Sequence, residues 1–162
     1  MFLRLIFLYC LLLGLATTIP PAAAQVRELG QVDIATDVST IAVRVTGSTP
    51  ELDQLANLAF NAHGRYRRVT GGETFTLSFS AVAANQVRVE VRRGSAQVLA
   101  QVVAGTSTRH ALFRAADVAV KATSGLNGFF ASSLAFISER TGKMEVYTGD
   151  LFFGEVRQLT SD

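Results

Sequence analysis

The sequence predicts an α+β fold in which two helices pack on one face of a mainly antiparallel sheet. Three observations carry this. The stretches "TFTLSFSA" (74–81) and "QVRVEVR" (86–92) alternate apolar and polar residues, as strands with one buried and one solvated face do. Such clean alternation is typical of antiparallel pairing. Two other stretches repeat apolar residues at helical spacing between capping residues. The order is then strand, helix, a meander of strands, helix, which two layers accommodate. A separate piece of three short strands closes the chain at 132–162.

The first 24 residues stand apart from this fold. "MFLRLIFLYCLLLGLATTIPPAAA" has a basic Arg4, an apolar run from Leu5 to Ala16, Pro20 and Pro21, and three alanines. That is the grammar of a secretory signal peptide cleaved after Ala24. The run of about 12 apolar residues is short of the ~20 that span a bilayer, which argues against an uncleaved anchor. Cys10 lies inside this run and is the one cysteine of the chain, so its removal leaves no thiol for a disulfide. The formal net charge of +2 falls with the loss of Arg4, and no block of like charge remains. Such a balance gives no electrostatic reason to expect nucleic acid as a partner. Residues 25–38, "QVRELGQVDIATDV", form a polar arm with spaced apolar residues.

The fold proper starts at "STIAVRVT" (39–46), where Ile41, Val43 and Val45 alternate with smaller or polar residues. A helix is predicted over Pro50–His63. Thr49 caps it, Pro50 takes the first helical position, and Glu51 faces the positive end of the dipole. Leu52, Leu55, Ala56, Ala59 and His63 form its apolar stripe. His63 is placed at the helix end, where a cation is favourable, and Gly64 where the chain turns left-handed. "RYRRVT" (65–70) is a short strand ended by Gly71-Gly72. Gly94-Ser95 forms a hairpin turn, and "QVLAQVV" (97–103) is its return strand. The second helix runs over 108–123 from Ser107 or Thr108 to Gly125, with Leu112, Ala115, Ala116, Ala119, Val120 and Thr123 as its stripe.

Few residues suggest chemistry. His63 and His110 are the two histidines, and no metal-ligand spacing relates them to each other or to carboxylates. There is no nucleophile elbow of the G-x-S-x-G type, no Walker A sequence and no G-x-G-x-x-G. Asp117 reads as a surface partner of Arg114 and Lys121 at helical spacing. Arg65, Arg67 and Arg68 around Tyr66 read as the polar flank of a strand. The expectation is a protein without catalytic residues, cofactor, metal or small-molecule substrate.

The last stretch, "LAFISERTGKMEVYTGDLFFGEVRQLTSD", closely resembles the first propeller blade of the TolB family, periplasmic proteins of the Tol–Pal system. The motif is carried by Ser138, Arg140, Gly142, Lys143, Tyr147, Asp150, Gly154, Leu159 and Thr160, with Glu139, Thr141, Glu145 and Val146 between them. Where the family has a short Asp-Gly-Gly type turn, this chain has "DLFFGE". Upstream, "PELDQLANLAFNAHGRYRRV" and "QVLAQVVAGTSTRHALFRAADVAVKATSGLNGFFASSLAF" are similar to the two helices, return strand and linker of the family's N-terminal α+β domain.

The resemblance implies a signal peptide (1–24), an arm (25–38), a TolB N-terminal-like domain (39–128) and an incomplete first β-propeller blade (129–162). It implies a periplasmic, non-enzymatic interaction module of a Tol–Pal-like system, with roles in outer-membrane integrity, envelope constriction at division and protein import. A TolA-like partner would bind the arm through Gln25, Val26, Arg27, Leu29, Val32 and Ile34, which match by position only. A Pal-like partner would need a propeller, and the chain stops about three strands into one, as a fragment or truncated protein would. A single blade cannot bury its own faces. Phe152 and Phe153 are therefore expected to lack partners, Tyr147 to face a neighbouring blade, and the terminal strands to favour self-association. Two other readings remain, the N-terminal part of a secreted propeller hydrolase or peptidase, and a free-standing secreted α+β interaction domain.

Overall fold

The computed structural model describes residues 39–161. The expected signal peptide, the arm with its six candidate residues, and Asp162 lie outside the described residues. The described residues belong to one compact unit. Its elements are β1 (Ile41–Gly47), α1 (Pro50–Ala62), β2 (Tyr66–Arg68), β3 (Phe75–Ala83), β4 (Gln86–Arg93), β5 (Ala96–Ala104), α2 (Thr108–Ser124), β6 (Ser133–Ser138), β7 (Glu145–Asp150) and β8 (Val156–Gln158).

Five strands form one sheet in the order β2-β1-β3-β4-β5, and β6-β7-β8 form a second. In the first sheet β3–β4–β5 is an antiparallel meander, whereas β1 pairs parallel with both β2 and β3. The reason is α1. It carries the chain back over the sheet, and such a crossover is what parallel neighbours require.

Alternation sorts the faces as expected. Phe75, Leu77, Phe79, Val87, Val89 and Val91 point toward the helices and are buried, while Arg88 and Arg92 stay exposed on the far side. Both helices cover this one face: α1 lies over β1, β2 and β3, and α2 over β3, β4 and β5. Their contribution to the core is Leu52, Ala56, Ala59 and Phe60 from α1, and Leu112, Phe113, Ala115, Ala116, Ala119 and Val120 from α2. Small residues at Ala115, Ala116 and Ala119 let α2 lie close to the sheet, and the volume is filled by Phe60, whose ring lies 6.2 Å from that of Phe79 and 5.6 Å from that of Phe130.

The caps are mostly those the sequence points to. The Thr49 hydroxyl accepts the Leu52 N–H, and the Ser107 hydroxyl accepts the His110 N–H. Gly125 ends α2 in the left-handed region at φ +75°, donating to the Lys121 carbonyl. The end of α1 differs from expectation. Gly64 is not in the left-handed region; His63 caps the helix in an extended conformation, and its ring Nδ1 accepts the Arg65 N–H. The side chain thus satisfies a backbone donor that a left-handed glycine would have turned elsewhere.

Candidate functional site

The residues that matter most lie where the second sheet meets α2. Arg109, Phe113 and Asp117 stand at intervals of four, so they form one ridge of the helix beside the stripe that packs on the sheet. Each side chain on this ridge engages the C-terminal segment. Arg109 Nε and Nη2 donate to both oxygens of Asp150 at 3.0 and 3.1 Å. The Phe113 ring packs on Phe152 at 5.1 Å between centroids. The Asp117 carboxylate accepts the N–H groups of Phe130 and Ala131 at 2.7 and 3.1 Å. Arg109 also lies over the Phe113 ring at 5.0 Å.

Asp150 organises the far side of this joint. Besides Arg109, it accepts the N–H groups of Phe152 at 2.8 Å and Glu155 at 2.7 Å. It therefore shapes the "DLFFGE" turn and ties that turn to the helix with the same carboxylate. Burial alone would raise its pKa. The Arg109 hydrogen bond, the two backbone donors and the Arg109 charge outweigh that and hold it below the ordinary carboxylate range. Gly154 completes the fit, because a Cβ there would sit 2.2 Å from Arg109 Cζ, and the guanidinium is pinned by its two bonds to Asp150.

These contacts overturn three expectations. Phe152 does not lack partners: it packs on Phe113 and Phe130, and Phe153 meets Phe136 edge-on at 5.3 Å. Asp117 is not a surface partner of Arg114 and Lys121, since its oxygens are taken by the connector's backbone. Burial raises its pKa, against the pull of the two N–H donors and of His63. The reason is that α2 has two working faces, and Asp117 lies on the second. Tyr147 turns within its own sheet, 2% exposed, stacked on Phe136 at 5.8 Å with Arg140 over its ring at 4.8 Å.

The connector 125–132 is the other half of the joint. Phe130 is fully buried and touches Phe60, His63, Phe129 and Phe152. His63 sits among Tyr66, Phe129 and Phe130. Desolvation lowers its pKa, with Arg65 adding to that effect and its backbone hydrogen bond and Asp117 opposing it. The expected cation at the helix end is therefore a largely neutral ring in an aromatic nest. Removing the anchor should be costly. Asp117→Ala is expected to destabilise the protein by about 2–3 kcal/mol, because two connector N–H groups lose their acceptor. Asp117→Asn, which keeps one acceptor oxygen, is expected to recover part of this in urea unfolding.

The remaining motif residues hold the small sheet together. Ser138 pairs in register with Glu145. Gly142 makes the β6–β7 turn at φ +87°, donating to the Glu139 carbonyl. Thr160 Oγ1 accepts the Val146 N–H at 2.9 Å and donates to buried Glu145. The Leu159 N–H bonds the Val146 carbonyl, while its side chain is exposed. Lys143 borders a shallow depression with Thr141, Glu145 and Gln158.

A cleft of roughly 140 Å³ opens beside the Arg109–Asp150 pair, lined by Thr106, His110, Ser132, Thr148 and Glu155 among others. His110 Nδ1 accepts the Thr106 N–H at 3.1 Å. Tyr66 is buried and its hydroxyl lies 2.7 Å from Thr123 Oγ1, which separates it from exposed Arg67 and Arg68. No three metal-ligating side chains converge among the described residues. The joint is thus a mechanical site: an ion pair, an aromatic contact and a carboxylate clamp spaced along one helix ridge.

No protein-family model matches this sequence, and no curated protein does. Among solved structures the chain matches TolB from Acinetobacter baumannii with a TM-score of 0.62 at 12% identity, over 76% of this chain and 39% of that one. The chain therefore spans about two fifths of the length of that structure, and what they share is a TolB-like fold: the α+β layer and the strands that follow it.

Proposed function

We propose that this chain is a non-enzymatic protein-interaction module of a Tol–Pal-like cell-envelope system, exported to the periplasm with its leader cleaved after Ala24. Its roles would be those of that system: outer-membrane integrity, envelope constriction at division and protein import. The observation that carries the reading is the joint. Motif residues Asp150 and Gly154 are used to seat the terminal sheet on α2, in a chain whose fold matches TolB. A scaffold that holds its parts rigid through buried side chains suits a docking protein. A TolA-like partner would be engaged through residues 25–34, and a Pal-like partner only where a propeller is present.

Deleting the gene in its own bacterium is expected to leak periplasmic proteins and raise detergent sensitivity. The full chain should restore the envelope, and a version without residues 25–34 should be exported normally yet fail to capture the TolA-like protein. The exported protein should begin at Gln25. An intact envelope in the deletion strain would sink the proposed role. Hydrolysis of peptide or ester substrates, lost on a point substitution within the chain, would sink its non-enzymatic character.

A further inference from the structure

We propose that the β2 edge is a docking surface for an extended acidic segment of a partner protein, held by Arg67 and Arg68. The fold engages most of its arginines. Arg44, Arg88 and Arg109 pair with carboxylates. Arg92 and Arg114 donate to backbone carbonyls, and Arg93 and Arg140 lie over aromatic rings. Among the described residues, the side chains of Arg65, Arg67, Arg68 and Arg157 have no acceptor, and Nε of Arg65 is buried without one. Three of these four lie together, on β2 and the residue before it. Glu73, the carboxylate just beyond the following loop, is already taken by Arg44 at 3.0 Å.

β2 is an edge of the five-stranded sheet, with β1 on its other side. The Arg65 carbonyl accepts the Ile41 N–H and the Val69 N–H donates to the Val43 carbonyl, both at 2.9 Å. Arg65, Arg67 and Val69 therefore turn their backbone groups to β1, and Tyr66 and Arg68 turn theirs outward. The Tyr66 N–H is spent on the His63 carbonyl at 3.0 Å, which leaves its carbonyl and both groups of Arg68 facing outward. The side chains alternate as well. Tyr66 is buried on the helix side, and Arg68 shares that side, where it lines an open groove of roughly 590 Å³ with Asn61, Val69, Thr70 and Gly71. Arg67 lies on the opposite face of the sheet, which the helices leave uncovered.

This placement selects the occupant. Two adjacent arginines on opposite faces are out of reach of one small anion. An extended segment laid along the edge also sends consecutive side chains to opposite faces. Carboxylates at neighbouring positions then meet Arg67 on one face and Arg68 on the other, as opposite charges do across a strand pair. Its backbone meets the outward groups of Arg68, the mode of strand addition by which sheet edges take up peptides. The same arginines turn other strands away. A second copy of β2 would set arginine against arginine, and a neutral strand would leave both charges without a counter-ion.

Titration of the full exported chain with the blocked peptide SVEEVEEVS tests this. Saturable binding is expected, and none for the same peptide with glutamine in place of glutamate. Arg67→Gln and Arg68→Gln should each weaken binding about threefold, and together at least about tenfold. Arg157→Gln, which removes an equally idle charge from the β8 edge, should leave it unchanged. Thermal unfolding of the two β2 variants should match the parent, since both side chains are exposed. No binding at millimolar peptide overturns the proposal. Loss in only one of the two variants overturns it too, as that marks a point-anion site, and so does equal loss in Arg157→Gln, the mark of diffuse attraction. Binding that appears only after Glu28→Gln, Asp33→Asn and Asp37→Asn assigns the edge to this chain's own residues 25–38 and likewise overturns it. The titration is read without the envelope phenotype, so this surface and the Tol–Pal-like role can fail separately.

Discussion

Phe130→Ala is expected to lower the unfolding free energy by about 3–5 kcal/mol. The ring is fully buried and is shared by α1 through Phe60 and His63, by the connector through Phe129, and by the terminal turn through Phe152. Few relaxations can fill the void, because the neighbours belong to three segments that would each have to move. Phe130→Leu keeps much of the volume and should cost about 1–1.5 kcal/mol. Urea unfolding checks both. Hydrogen exchange separates this from a general core effect: protection at 133–158 should fall more than at 75–93. Equal loss across both sheets would mean that Phe130 is ordinary core and not the pin of the joint.

Asp150→Ala is expected to release the terminal sheet from α2, at a cost of about 2–3 kcal/mol. The side chains of Arg109 and Asp150 are 18% and 14% exposed, so solvent screens the pair in part and the figure lies below that for a fully buried one. The loss has two sources: an Arg109 guanidinium without its counter-ion, and the N–H groups of Phe152 and Glu155 without their acceptor. The same carboxylate makes the joint acid-sensitive. Its folded pKa is lowered, so its stabilisation is fully present above the unfolded value of about 3.9. It is lost as pH falls through the lower folded value. Asp117 works in the opposite direction, since its folded pKa is raised. His63 adds to acid sensitivity at higher pH, because a base with a lowered pKa loses stability as pH falls below about 6.5. Stability measured from pH 7 to 3 should therefore decline in two stages, and Asp150→Asn should flatten the lower one. A profile for Asp150→Asn parallel to the parent would show that the pair carries no acid response.

Much of this protein was readable one element at a time. Both helices, the cap at Thr49, the choice of Ser107 or Thr108 for the second cap, the stop at Gly125 and the inward faces of β3 and β4 follow from local rules. They depend on neighbours within a turn or a pleat. The motif residues Asp150 and Gly154 were also legible, though only through their resemblance to a known blade. Their actual work was not, because their partner Arg109 lies 41 residues away. The sole local hint was the spacing of Arg109, Phe113 and Asp117, which marks a second face on a helix already possessing an apolar one.

The errors share one cause. Asp117 looked like a surface charge and Gly64 like a left-handed cap because each was judged against its sequence neighbours, and Phe152 looked like an orphan because the blade was judged without α2. In the folded chain Asp117 holds the backbone of residues 130 and 131, His63 caps its own helix from an aromatic nest, and Phe152 fills the gap between α2 and the connector. Periodicity and capping chemistry act over a few residues, so the sequence by itself determined the elements, their faces and the α+β class. Which strands run parallel, which charge is paired and which ring is buried depend on contacts between residues far apart in the chain. Only the tertiary structure decided those, because only closure of the fold brings such residues within bonding distance.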